Sequence, residues 1–403
     1  MRFFVLRARE SFWFLPAVFG IAAVVLAELL VTVDQVLIDH GTRIPFLDAL
    51  SASAGRSILS IIGTSMLTVA GTSFSITISV LATTSSTYGP RLVRNFLADR
   101  ANQIVLAVFT STFLYALVVL RAVRSETDQG SGFVPTLATH LAVVFGVLDV
   151  AVLVFFIHHI ADSVQITTLQ KRVQNDLLAA INLIYPEDVA DDTTTATRQP
   201  ALIDTAPVPS KSDGYVQQID LDELRDIAKD AGCVLDVVAM PGTFVIPGDP
   251  LVRVSPADKI TDVLKKVQEA FTFGTARTPH QDVRFALQQL VEVAVRGLAS
   301  GTNDPYTAVT ALDLASTALI PLLTRPPSAT ALTDGDTATV MVKWPAPDDL
   351  IRDVFAGVTT YGLEHPLVID AATRLAHRLL ETAPNSTELI LRDALATLNS
   401  SRS

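Results

Sequence analysis

Ser57–Thr87 reads SILSIIGTSMLTVAGTSFSITISVLATTSST, and 15 of its 31 residues are Ser or Thr. It holds no charged residue and exceeds the roughly 20 helical residues that a bilayer core requires. The hydroxyls are ordered. Ser60, Thr64, Thr68, Thr72, Ser75, Ser79, Thr83 and Ser86 recur at steps of three or four. Seven steps cover 26 residues, a mean near 3.7, which puts them along one helical face. Ile58, Ile62, Leu67, Phe74, Ile76, Ile78 and Leu81 are expected on the opposite face. Gly63 and Gly71 permit close backbone approach.

A hydroxyl stripe has two sensible destinations. One is helix packing, where small residues favour contact and each hydroxyl bonds a carbonyl one turn back. The other is the wall of an aqueous pathway. Eight hydroxyls in register across a whole membrane favour the pathway, so these eight are the expected pore lining. Four spans do not readily enclose a channel, so a pore implies a homo-oligomer with this helix toward its axis.

Three more stretches qualify as spans: Phe12–Val33, the shorter Ile104–Leu120, and Val134–Ile160, which is long enough to tilt. Basic residues precede the first, but its apolar run is too long for a signal peptide and it reads as an uncleaved anchor. Arg2, Arg7, Arg9, Arg91, Arg94, Arg100, Lys171 and Arg172 fall on one side of the spans. Arg43, Arg56, Arg121 and Arg124 fall on the other. Eight against four places both termini in the cytoplasm.

Composition agrees. Of 403 residues, 49% are hydrophobic and 18% charged, and the mean hydropathy is +0.42. These values disfavour a disordered chain and a soluble enzyme of ordinary surface. Residues 1–160 carry 10 Arg and 9 acids, whereas 161–403 carry 20 Lys+Arg and 32 Asp+Glu, a net of −12. An apolar domain precedes an acidic, solvated one. The net charge of −11 argues against nucleic acid as a partner. The expected partners are the lipid bilayer, further copies of the chain and permeant ions. Cys233 is the single cysteine, which excludes an intrachain disulfide and a multi-cysteine metal site. Seven Lys against 23 Arg reads as GC-rich bacterial coding, hence a bacterial inner membrane.

Gly89-Pro90 is expected to end the second span. Arg91 and Arg94 then lie on a short interfacial helix, as positive-inside anchors or as a basic cytoplasmic mouth. Glu28 lies near the outer end of the first span, within reach of the interface. Asp149 lies midway along the fourth. An acid at that depth costs about 2.5–3.5 kcal/mol unless paired or wetted, which makes it a functional candidate; the structural alternative is a hydrogen-bonded Asp against the hydroxyl helix. His158 and His159 are adjacent, point to different helix faces and do not suggest a shared metal.

Residues 1–165 are thus expected as a four-span domain and 166–185 as a helical extension of the fourth span, with Leu169, Val173, Leu177, Ile181 and Ile184 as its buried face. Residues 186–214 read as a linker, 215–258 as a small β-containing module and 259–403 as a mainly helical domain, so that a cytoplasmic α+β part follows the membrane. Pro241-Gly242 and Pro247-Gly248 suit type II turns between short strands. These repeated turns look like those of biotinyl and lipoyl half-barrels, but no Lys occupies the turn, so neither group is expected and no cofactor is assigned. Gly274–Thr278 has the composition of an anion-holding loop, with a capped turn as the better reading; Gly301–Pro305 reads the same way. No G-x-S-x-G, H-E-x-x-H or Walker A run supports an enzyme.

Phe12–Pro16, Thr68–Thr77, Pro90–Leu97, Phe156–Ile160 and the run from Gln281-Asp282 to Asn303-Asp304-Pro305 resemble the predicted-membrane-protein family called domain of unknown function 2254, DUF2254. The resemblance covers nearly the whole chain. It implies a bacterial inner-membrane protein of this layout and carries over no catalytic or binding residue. The functional expectation is a homo-oligomeric ion channel lined by the second span and gated by the cytoplasmic domain. The alternatives are a non-conducting membrane sensor or scaffold and a transporter using Asp149.

Overall fold

A computed structural model describes residues 13–39, 50–88, 100–125, 132–163, 165–187, 202, 204–325, 331–334 and 337–401. The chain forms two compact units, Met1–Gln165 and Ile166–Ser403.

In the first unit, hydropathy dictates four long helices: α1 (Phe14–Asp39), α2 (Ala52–Tyr88), α3 (Arg100–Ala122) and α4 (Thr136–Ser163). α3 is the central one and packs against α1, α2 and α4. Small residues set the close contacts. A Cβ at Gly63 would stand 3.8 Å from the Cβ of Ala116, so α2 and α3 meet at ordinary van der Waals distance. One apolar cluster joins Ala27, Val31, Leu59, Tyr115 and Val119 with the start of α4. A second joins Ala70, Val105, Phe109, Phe156 and Ile160. The Tyr115 hydroxyl donates to the Ala138 carbonyl at 2.9 Å. The outward faces of α1 and α4 stay aliphatic, with Ile21, Val25, Val147 and Val154 exposed. Contiguous apolar surface of this extent suits lipid.

Among the described residues, five helices are long and apolar enough to cross a membrane. The fifth, Pro305–Thr324, lies in the second unit, within the stretch 259–403 expected as a mainly helical domain.

The second unit opens with α5 (Ile166–Ile184). α4 ends at Ser163 and Gln165 is not helical, so α5 starts as a separate helix. Leu169, Val173, Leu177, Ile181 and Ile184 are its buried face, as their spacing requires. They pack α5 against α8 (Val283–Leu298) and α9 (Pro305–Thr324). Gln170 donates to the Thr307 carbonyl at 2.8 Å and Gln174 to the Thr317 hydroxyl at 2.6 Å. Helices α10 (Pro347–Tyr361), α11 (Pro366–Leu380) and α12 (Asn385–Ser400) complete the bundle.

Two sheets form the β part. The larger has the order β1 (Ala206–Pro209), β5 (Pro250–Ser255), β3 (Val234–Val237), β8 (Thr337–Met341), β7 (Ala331–Asp334). The smaller has the order β4 (Phe244–Val245), β2 (Gly214–Ile219), β6 (Phe271–Gly274). With α6 (Leu221–Ala231) and α7 (Ile260–Glu269), they enclose a core that includes Val216, Leu224, Leu235, Val252, Val263 and Val340. The sheets extend past 215–258 at both ends. β1 lies in the stretch read as a linker, and β7 and β8 lie in the stretch read as helical. β8 pairs with β3 in parallel, Leu235 opposite Val340.

Local chemistry explains the joints. Gly242 has φ +90 and Gly248 φ +101, the third-position geometry of a type II turn. Gly232 closes α6 at φ +63. Asp304 caps α9, accepting from Tyr306 N–H at 3.1 Å. α8 begins at Val283 and its cap is Asp282, which accepts from Phe285 N–H at 3.0 Å.

Candidate functional site

The hydroxyl stripe lies outside the first unit's core. Ser60, Thr64, Thr68, Thr72, Ser75, Ser79 and Thr83 are all exposed. Ser86 ends the series within α2, and its side chain lies outside the described residues. α2 turns a different face inward: Leu59, Gly63, Ala70, Ser73 and Thr77 are buried. The expected opposite face is therefore corrected. Leu67, Phe74, Ile76 and Ile78 are exposed as well, because α2 sits at the edge of the bundle and only one sector of it meets α3 and α4.

Four hydroxyls of the stripe donate to carbonyls of their own helix. Thr68 donates to the Thr64 carbonyl at 2.8 Å, Thr72 to Thr68 at 2.9 Å, Ser75 to Gly71 at 2.9 Å and Thr83 to Ser79 at 3.0 Å. The donor is satisfied in place, and the oxygen keeps lone pairs for a group outside. Ser60 to Thr83 spans about 35 Å along the helix axis, enough to cross a hydrocarbon core of about 30 Å. Gly71 stands within the exposed stretch, where a Cβ would meet nothing within 4 Å.

Asp149 points the other way. It is buried in the bundle at 2% exposure. Its carboxylate bonds with the Thr112 side chain on α3, so its partner is the third span and not the hydroxyl helix. Oδ2 has no partner. The stripe and Asp149 are thus separate features of the unit. The expected mouth residues Arg91 and Arg94 lie outside the described residues. His158 reaches Asp162 at 3.3 Å, whereas His159 stacks on Phe155, so the two imidazoles have different neighbours. Among the described residues no group of three His, Cys, Asp or Glu is placed to hold a metal.

A family described as "Predicted membrane protein (DUF2254)" matches residues 9–377. The chain belongs to the DUF2254 family. Uncharacterized proteins of Mycobacterium bovis and Mycobacterium tuberculosis are each 30% identical to it over 331 residues, covering 79% of this chain. The match covers 62% of the length of those relatives. No solved structure matches the chain. It is a predicted membrane protein by family and by its apolar helices.

Several polar residues of this DUF2254 protein escaped the sequence reading. Asp34 on α1 accepts from Leu137 N–H at 3.1 Å and Ala138 N–H at 3.0 Å. It caps α4 from another helix, and nothing local in the sequence marks it. Glu28, which the sequence placed within reach of the interface, is paired with Arg121 of α3. Asn102 at the start of α3 is buried with both polar side-chain atoms unpartnered. A search for polar residues within apolar runs, extended from acids to hydroxyls, would have found Thr112, whereas Asn102 precedes the apolar run that begins at Ile104.

Proposed function

We propose that the chain is a subunit of a homo-oligomeric ion channel in a bacterial inner membrane. α1 to α4 cross the bilayer, both termini are cytoplasmic, and α2 faces the axis. The observation that carries this reading is the exposure of the hydroxyl stripe from Ser60 to Thr83. Packing within the chain does not account for it, because the chain covers Leu59, Gly63, Ala70, Ser73 and Thr77 instead. Lipid does not favour it either, since α1 and α4 already present aliphatic faces. A water-filled axis built from several copies gives the outward lone pairs donors and cations to accept from.

α9 is assigned to the cytoplasmic unit despite its hydropathy. Half of its most apolar window is buried, it packs against α5, α8, α10 and α11 of that unit, and it receives Gln170 and Gln174 from amphipathic α5. That leaves four spans. With the basic residues eight to four, an even number puts both ends inside. The acidic second unit then lies in the cytoplasm, where it serves as the gate. Purified protein in planar bilayers tests the reading: discrete conductance steps are expected, and their absence from oligomeric, folded protein would remove the channel.

A second reading rests on Asp149. A buried carboxyl with a free Oδ2 suits a proton site in a transporter. Asp149→Asn separates the two, because the amide keeps the contact with Thr112 but takes up no proton. Unchanged unit conductance supports the channel; lost proton-coupled transport in vesicles supports the transporter.

A further inference from the structure

Three loops of the second unit meet around a cleft of about 440 Å³. The Pro241-Gly242 turn forms one wall, the start of α8 a second, and the segment between β8 and α10 a third. The volume lies within the roughly 300–1,000 Å³ of small-molecule sites.

The walls are braced from behind. Gln281 bonds both backbone groups of Ile219, accepting from its N–H at 2.8 Å and donating to its carbonyl at 3.1 Å. Arg277 donates to both oxygens of Asp282 at 2.7 and 2.9 Å, gives Nη1 to Gln288 at 3.2 Å and lies 4.9 Å over the Phe285 ring. The loop with the composition of an anion holder therefore holds a carboxylate of its own chain. The second acid on the cleft, Asp349, accepts from Ala346 N–H and from Arg352, both at 3.3 Å. Both acids are thus matched by donors.

One cation on the lining is left over, and a second, though paired, keeps a donor group. Arg284 commits Nε and Nη2 to Asp353 at 2.5 and 2.9 Å, which leaves Nη1. Lys343 is exposed and makes no hydrogen bond or ion pair among the described residues. Beside it Trp344 presents a half-buried ring. Arg277 is matched by Asp282 and Arg284 by Asp353, so Lys343 is the one unmatched charge on the lining, and a positive charge left over in a half of the chain with net charge −12 favours an anion. Guanidinium and ammonium donors suit phosphate oxygens, and an indole face suits a flat ring.

We propose that this cleft binds a nucleotide, with its ring against Trp344 and its phosphates on Lys343 and Nη1 of Arg284. The site stands apart from the conduction pathway and does not depend on it.

The chain has two tryptophans, Trp13 and Trp344. In the full-length Trp13→Phe protein in detergent, Trp344 is the only indole reporter. Titration with ATP is expected to change its fluorescence saturably. Adenosine, which keeps the ring and lacks the phosphates, is expected to need a concentration about tenfold higher. Lys343→Ala in the same background removes an exposed side chain without touching the core. It should raise the half-saturating ATP concentration about tenfold. A flat ATP titration, equal response to adenosine, or unchanged half-saturation in Lys343→Ala protein of native circular dichroism each overturns the proposal. None of these readouts measures conductance, so failure here and failure of the channel are distinguishable.

Discussion

Gly242 lies so near Asp282 that a Cβ on the glycine would stand 2.1 Å from Oδ2 of the aspartate. The turn is pressed onto the residue that caps α8 and pairs with Arg277. The glycine also sits at φ +90, a conformation that an L side chain adopts only under strain. Gly242→Ala therefore meets two obstacles at once. It is expected to destabilise the protein by about 2 kcal/mol or more, lowering the Tm by roughly 4–8 °C for a unit of this size. Differential scanning calorimetry checks this, and an unchanged Tm would mean that the turn is free to move away from Asp282.

Asp34 joins α1 to the first turn of α4 through two backbone N–H groups. A buried N–H left without a partner costs about 1–3 kcal/mol. Asp34→Ala leaves both unpaired. Asp34→Asn keeps one carbonyl oxygen and so one acceptor. The expected order of resistance to SDS unfolding is wild type, then Asn, then Ala. Equal loss in the two variants would show that charge at this position matters more than the cap.

Asp176 on α5 supplies a pH dependence. Burial pushes its carboxyl above the ordinary carboxylate range, with Arg172 pulling the other way. The folded chain then holds a proton that the unfolded chain has released, in the window between the ordinary pKa and the raised one. Stability falls as pH rises through that window. Asp176→Asn does not ionise, so it should melt higher than wild type at neutral pH and level with it below about pH 4. A lower Tm at neutral pH would reverse the assignment and mark the ionised carboxylate as stabilising.

Much of this arrangement is local and therefore legible in the chain. The apolar runs gave α1 to α4, the spacing of Leu169, Val173 and Leu177 gave the buried face of α5, and Pro241-Gly242 gave a type II turn. What escaped the sequence is long-range. Leu235 pairs with Val340 across more than 100 residues, and no local pattern announces which strand will take that edge. Asp34 caps a helix through Leu137, 103 residues away. The stripe was legible as a periodicity, but its surroundings were not. Periodicity places Thr68 and Thr72 on one face, while the position of α3 decides that this face stays uncovered. Asp149 was legible as an acid within an apolar run, yet its choice of Thr112 over the α2 hydroxyls depends on how α4 is rotated in the bundle.

The stripe itself gives the sharpest test. Cys233 is buried and burial raises its thiol, so it stays protonated and unreactive while the protein is folded. Introduced cysteines can therefore be read against a silent background. If Thr68, Thr72, Ser75 and Ser79 line water, cysteines there should react with small polar thiol reagents, and cysteines at the buried positions Ser73 and Thr77 should not. The same set also separates water from lipid. Phe74, Ile76 and Ile78 are exposed on the isolated subunit, yet in a pore-forming oligomer they meet lipid or a neighbouring subunit and stay unlabelled. Thr72→Val keeps the shape of the side chain and removes the oxygen, which favours dewetting of a narrow pore. Lower unit conductance at normal expression is the expected result. If the stripe instead packs one copy against another, reagents will not reach it, and Thr72→Val will weaken assembly by about 0.6 kcal/mol, the average for an interhelical hydrogen bond in a membrane. Protection of all four stripe positions in the assembled protein would leave the oligomer standing and remove the pore.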